Sequence, residues 1–245
     1  MRFDLINERR NNKIFTDGEY AYKVFNEGYS KNQVFSEASI TAMIEEMDIN
    51  VPSICEITTI DNKWAFKFPL IKGQSLYDAI QSDPDNIDKY MDILLSVQTD
   101  IHHNKCPHIP IQKQKLTDYI NISNLDESLK IDLLDMLNSS PKHNKLCHGN
   151  LTPHNIIISD DRYYVTDWNH AVQGNASADI ARTYIWMKIN MPDYSKIYLD
   201  KFCNITGTTS RYVQNWIPIV AAARLAKNNP DETEFLNSLI SVIDY

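Results

Sequence analysis

The sequence predicts an α+β fold in two lobes: a small β-rich N-terminal lobe with one helix, and a larger, mostly helical C-terminal lobe. Three observations predict it. Short apolar runs punctuated by turn residues fill residues 13–70, broken by a single capped amphipathic segment. From residue 76 onward, apolar positions recur at helical spacing. One strand–turn–strand segment, residues 156–166, interrupts those helices.

Taken in order, Lys13–Thr16 and Tyr20–Phe25 flank Asp17-Gly18, a tight-hairpin signal. Ser30 followed by Gln33 is a capping box opening a helix, whose inward face is Val34, Ala38, Thr41 and Ile44. Asn50-Val51-Pro52 ends that unit, and strands follow at Ile54–Ile60 and Lys63–Leu70, separated by Asp61-Asn62. Pro69–Ser75 reads as a hinge, which divides the chain into lobes at 1–68 and 76–245. Tyr90, Ile93, Leu94, Val97 and Ile101 form one helical stripe, and residues 125–137 another, with Ser123 as its expected cap. Further helical patterns run over 178–190, 194–204, 210–227 and 231–244, with Pro218 expected to kink the third.

A chain of 245 residues is long enough to bury a sizeable core. Its 43% hydrophobic and 23% charged content are ordinary for a globular protein. A net charge of −8 argues against a broad nucleic-acid surface, which needs clustered Lys and Arg. No stretch approaches the ~20 apolar residues that span a bilayer, and the first ten residues hold no signal-peptide core. Cys55, Cys106, Cys147 and Cys203 lie far apart with no Cys-x-x-Cys pair, as in reduced cytoplasmic proteins. The expectation is a cytoplasmic protein with no membrane and no nucleic-acid partner.

Residues 146–169 carry the chemistry. A polar loop opens at His148 and presents Asn150 and then Asn155; the strand Ile156–Ile158, a polar turn and the strand Tyr163–Thr166 deliver Asp167. An amide oxygen and a carboxylate twelve residues apart thereby fall at neighbouring ends of one hairpin. Two hard oxygen ligands suit Mg²⁺, which shares its shell with substrate phosphates.

The segment resembles the aminoglycoside phosphotransferase and choline kinase-like family, whose signature reads His-Gly-Asp-Leu-x-x-x-Asn, then a hairpin, then Asp. His148, Gly149, Leu151, Asn155 and Asp167 match; position 150 departs, with Asn for the family's catalytic Asp. The resemblance implies a protein kinase-like fold and ATP-dependent transfer of a γ-phosphate to a hydroxyl of a small molecule, such as an aminoglycoside, an amino alcohol or a sugar. It implies ATP and Mg²⁺ as cofactors, with Asn155 and Asp167 as metal ligands and His148 orienting the loop. Asp179 matches the family segment that anchors this loop, and reads equally as a carboxylate at a helix start.

Lys23 interrupts an apolar strand, and Glu37 shares the inward face of the following helix. Alone, each reads more simply as a solvent-facing charge; beside the downstream motif they read as the strand-lysine and helix-glutamate pair that holds nucleotide phosphates. Glu8–Asn12, where a phosphate-covering loop belongs, lacks glycine, although Arg9 or Arg10 offers charge-assisted hydrogen bonds. In the hinge, Pro69 keeps a carbonyl acceptor and Ile71 an amide donor for an adenine edge.

Asn150 occupies the base position without being a base, since an amide oxygen is not protonated at neutral pH. Three readings stay open: a slow or differently assisted kinase, a nucleotide-binding pseudokinase with a regulatory or scaffold role, or an enzyme in which an original aspartate was replaced. Asp193, Tyr194 and Trp216 are candidates for the acceptor pocket, and an acidic pocket would suit an aminoglycoside. The His102–His108 cluster fits no common zinc spacing and reads as a solvated helix end.

Overall fold

The computed structural model describes residues 3–241, which fall into two compact units: residues 3–82 with 153–169, and 83–152 with 170–241. The chain begins with β1 (Asp4–Glu8), β2 (Asn12–Thr16), β3 (Tyr20–Phe25), α1 (Lys31–Glu45), β4 (Glu56–Ile60), β5 (Lys63–Pro69), β6 (Gln74–Ser75) and α2 (Leu76–Ser82). The helices α3 (Ile87–His103), α4 (Gln112–Ile122) and α5 (Glu127–Ser139) follow, then β7 (Lys145–Cys147), β8 (Ile156–Ser159), β9 (Arg162–Val165) and β10 (Val172–Gly174). The last helices are α6 (Ala176–Asn190), α7 (Pro192–Thr206), α8 (Ser210–Gln214), α9 (Ile217–Leu225) and α10 (Pro230–Ile240).

In the first unit an antiparallel sheet runs in the order β1-β2-β3-β5-β4. Strand alternation puts Tyr22 and Val24 on one face with Ala65, and Phe25 on the other with Phe66 and Val34 of α1. Lys23 shares the Phe25 face, so the pleat aims its ammonium toward α1. The expected Ser30–Gln33 capping box is present, and Val34, Glu37, Thr41 and Ile44 are buried. Asp17 closes the β2–β3 turn by accepting from the amides of Glu19 and Tyr20, with Gly18 at φ 96°. The edge strand β1 was not expected, because its residues are all exposed and carry no inward face. A second, three-stranded sheet, β6-β8-β9, holds the hairpin, and Gly73 makes its approach possible: a Cβ there would meet the Ile158 carbonyl oxygen at 2.0 Å.

The second unit is helical apart from the β7–β10 pair. Tyr90, Leu94, Val97 and Ile101 of α3 are buried as their spacing predicted. Three expectations need correction. Ser123 does not start α5; its hydroxyl donates to the Ile120 carbonyl at the end of α4, and Asp126 precedes α5. Pro218 does not kink one long helix, because the segment is two helices with Pro218 in the first turn of α9, where its missing N–H costs nothing. His102 is not a solvated helix end but a buried side chain. Residues 242–244, expected to finish the last helix, lie outside the described residues. Among the described residues no helix is long and apolar enough to cross a membrane.

Candidate active site

Within the first unit, the hairpin β8–β9 brings Asn155 and Asp167 together. The Thr166 amide donates to the Asn155 carbonyl at 2.9 Å, which ties the two ends of the hairpin. Asp167 then takes a left-handed conformation, φ 71°, a region that aspartate tolerates better than most residues. Both side chains meet one cation: Arg9 Nη1 donates to Asn155 Oδ1 at 3.0 Å and to Asp167 Oδ2 at 3.1 Å. Arg9 Nη2 also donates to the His154 carbonyl at 3.2 Å. Sequence reasoning left Arg9 and Arg10 undivided, because nothing in the turn Glu8–Asn12 fixes which arginine faces inward.

Lys23 is buried and donates to Glu37 Oε1 at 2.5 Å and to Asp167 Oδ1 at 2.6 Å. Burial by itself would push its pKa down. The carboxylates of Asp167 and Glu37 outweigh it and hold the ammonium above the ordinary lysine value. Burial raises the Glu37 carboxyl, against the opposing pull of Lys23. Lys23 and Arg9 thus balance Glu37 and Asp167 within one cluster.

The cluster lies in a cleft of about 560 Å³, within the range of small-molecule sites. Lys23, Glu37, Pro69, Ile71 and Asp167 all line it. Ala21, Val51, Phe68 and Val165 supply apolar wall, and the Leu70 amide is committed to the Glu19 carbonyl. Two buried oxygens of lining residues, Glu37 Oε2 and Asn12 Oδ1, have no hydrogen-bond partner in the protein. Buried acceptors are seldom left so, and a hydrated cation or ligand donor would satisfy them. A cleft with convergent oxygen ligands, a buried ammonium and orphaned acceptors fits a nucleotide with its divalent cation.

The His148 loop belongs to the second unit. His148 is fully buried, and its Nδ1 accepts from the Asn150 amide at 3.3 Å. Gly149 has φ 74°, and a Cβ on it would meet the His170 carbonyl oxygen at 2.1 Å. Its amide donates to Asp179 Oδ1 at 2.8 Å, so Asp179 does anchor the loop; Asn175, not Asp179, caps α6. Asp179 also meets His102 Nε2 at 3.0 Å and accepts from Gln98 at 3.3 Å. Burial would raise this carboxyl, but those partners hold it below the usual aspartate value. Asn150 Oδ1 accepts two long hydrogen bonds from Arg182, at 3.3 and 3.4 Å, a contact that the sequence did not suggest. Of the acceptor-pocket candidates, Trp216 is buried, Tyr194 is partly buried and Asp193 is exposed.

A search of curated protein sequences gives no significant match. Among solved structures, a thermostable mutant of aminoglycoside phosphotransferase APH(4)-Ia in ternary complex with ADP and hygromycin B is similar at TM-score 0.72 and 12% identity, covering 99% of this chain and 92% of that one. Choline kinase LicA from Streptococcus pneumoniae is similar at TM-score 0.66 and 13% identity, covering 99% and 94%. A choline/ethanolamine kinase family protein from Mesorhizobium loti follows at TM-score 0.64 and 12% identity, covering 98% and 86%. At these identities the likeness establishes the fold, the two-lobed kinase-like α+β architecture. A model of the phosphotransferase enzyme family (APH) matches residues 7–212, from β1 through the His148 loop and the hairpin to α8. The chain therefore belongs to the phosphotransferase enzyme family, the aminoglycoside phosphotransferase and choline kinase-like group that its motif resembles.

Proposed function

We propose that the protein is a small-molecule kinase that transfers the γ-phosphate of ATP to an acceptor hydroxyl. The observation that carries this reading is the convergence of Asn155 Oδ1 and Asp167 Oδ2 on a single cationic nitrogen, with Lys23 bound to the other oxygen of Asp167. Structural neighbours holding ADP, AMP-PNP and AMP support nucleotide use. The catalytically silent alternative draws no support from relatives that are themselves phosphotransferases and kinases.

In this reading Asn155 and Asp167 hold Mg²⁺, Lys23 holds the α- and β-phosphates, and Glu37 fixes Lys23. When bound, the Mg-nucleotide supplies the phosphoryl group and neutralises charge developing on it. That Arg9 donates to both of these oxygens supports the reading that they would hold a divalent ion. Pro69 offers its carbonyl and Ile71 its amide to the adenine edge. Asn150 accepts the hydroxyl hydrogen bond of the acceptor and orients the oxygen, and His148 keeps the loop in place. General-base assistance is worth ~10²–10⁴ in rate, so an amide at position 150 leaves a slower enzyme whose positioning remains intact.

Mg²⁺-dependent stabilisation by ATP, followed by phosphotransfer to members of a hydroxyl-acceptor library, tests the proposal. Nucleotide binding that ignores Mg²⁺, or no turnover on any acceptor, would count against it.

A further inference from the structure

The second unit contains a half-open recess of about 40 Å³ beside the His148 loop, lined by Gln112, Lys115, Tyr119, Gly149, His170 and Arg182. Its lining sets two cations, Lys115 and Arg182, against one carboxylate, Asp179. Among the described residues no carboxylate forms an ion pair with Lys115 or Arg182. The nearby acids are committed elsewhere: Asp179 to the Gly149 amide and His102, and Glu232 to both ends of the Arg224 guanidinium at 2.5 and 2.7 Å. Arg182 donates instead to the neutral Asn150 oxygen, at long range.

Resting on the phosphotransfer reading above, we propose that the acceptor is an anion: a hydroxylated small molecule whose carboxylate or phosphate sits against Lys115 and Arg182. Two cations facing one carboxylate, whose oxygens already bond to His102 and the Gly149 amide, leave the recess with excess positive charge. Burial and the neighbouring Arg182 push the Lys115 pKa down, and burial and Arg224 lower that of Arg182 to about 10. A planar guanidinium binds an oxyanion through two parallel hydrogen bonds, and Tyr119 adds a hydroxyl donor. Size agrees. A buried water needs roughly 10–15 Å³ by the same measure, so the recess takes one oxyanion group, not a sugar ring. The rest of the acceptor would extend through the open side.

This also gives the amide at position 150 a reason. An aspartate there would face Arg182 and neutralise it; asparagine leaves the guanidinium for the ligand. The same electrostatics disfavour the cationic acceptors that an acidic pocket would take.

The test is calorimetric titration of the full chain with matched acceptors: glycerate, glycerol 3-phosphate, glycerol, ethanolamine, and sugar acids beside their neutral and amino counterparts, with inorganic phosphate as control. Acids are expected to bind about 10- to 100-fold more tightly than neutral or amino partners, and Arg182→Gln and Lys115→Gln each to lose a similar factor. Which of carboxylate or phosphate binds better identifies the source of the oxyanion. Thermal stabilisation by Mg-AMP-PNP is read in parallel: its absence in the wild type sinks the kinase reading, whereas its persistence in both variants shows that they are folded. Neutral or amino acceptors binding as well as acids would overturn the anionic assignment, as would no binding by any acid. Inorganic phosphate binding as tightly as the hydroxylated acids would overturn the acceptor role. Should Arg182→Gln fail to fold, Lys115→Gln carries the test by itself.

Discussion

Single side chains decide whether this site can do chemistry. Arg9 satisfies Asn155 and Asp167 with one guanidinium, so it competes with any divalent ion for the same oxygens. Charge-assisted hydrogen bonds contribute about 1.5–3 kcal/mol each. Arg9→Ala is therefore expected to tighten nucleotide-free Mn²⁺ binding roughly tenfold or more, as read by electron paramagnetic resonance; unchanged affinity would remove Arg9 from the cation seat. Asn150→Asp should move two kinetic constants apart. A carboxylate supplies the missing base and raises kcat by ~10² or more, while its pairing with Arg182 raises KM for an acidic acceptor. A rate unchanged by that substitution would count against a base role at position 150. The sequence showed Lys23, Glu37, Asn155 and Asp167, because strand alternation, helical spacing and motif spacing each constrain them. It left Arg9 undivided from Arg10 and did not show Arg182, whose partners lie 145 to 158 residues and 32 residues away respectively.

Elements carry these side chains into place, and their junctions are the sensitive points. The His148 loop turns at Gly149 with φ 74°, against the His170 carbonyl. Gly149→Ala is expected to destabilise the protein by more than about 1 kcal/mol, since alanine is strained at positive φ and its Cβ has no room. Urea unfolding measures this, and an unaltered midpoint would refute it. The α1 helix depends on the Phe25, Val34 and Phe66 cluster to hold Glu37 against Lys23. Phe66→Ala should cost about 3–5 kcal/mol by emptying a fully buried site. Elements with strong internal signals, such as the Ser30 cap, the Asp17-Gly18 turn and the β8–β9 hairpin, were legible from sequence. The strand β1 and the β7–β10 pair were not. The exposed residues of β1 show no alternation, and three-residue strands are too short to display a period.

At the scale of the molecule, Asp179 links loop geometry to acid stability. Its native pKa lies below the unfolded value of 3.8, so its contribution is complete above that pH. It disappears as pH falls through the lower, native value. Asp179→Asn should therefore flatten the dependence of stability on pH below about 4, measured by thermal unfolding between pH 2 and 5; parallel curves for the two proteins would contradict the assignment. The fold class was legible because the change from period 2 to period 3.6 is global. The cations of the recess were not, since a net charge of −8 says nothing about which residues line a recess.

The most direct measurement is calorimetric binding of AMP-PNP, with and without Mg²⁺, to the wild type and to Asp167→Asn. The wild type should bind far more tightly with Mg²⁺, and the variant should lose that difference while still folding. Equal Mg²⁺ dependence in both proteins would mean that Asp167 does not hold the metal.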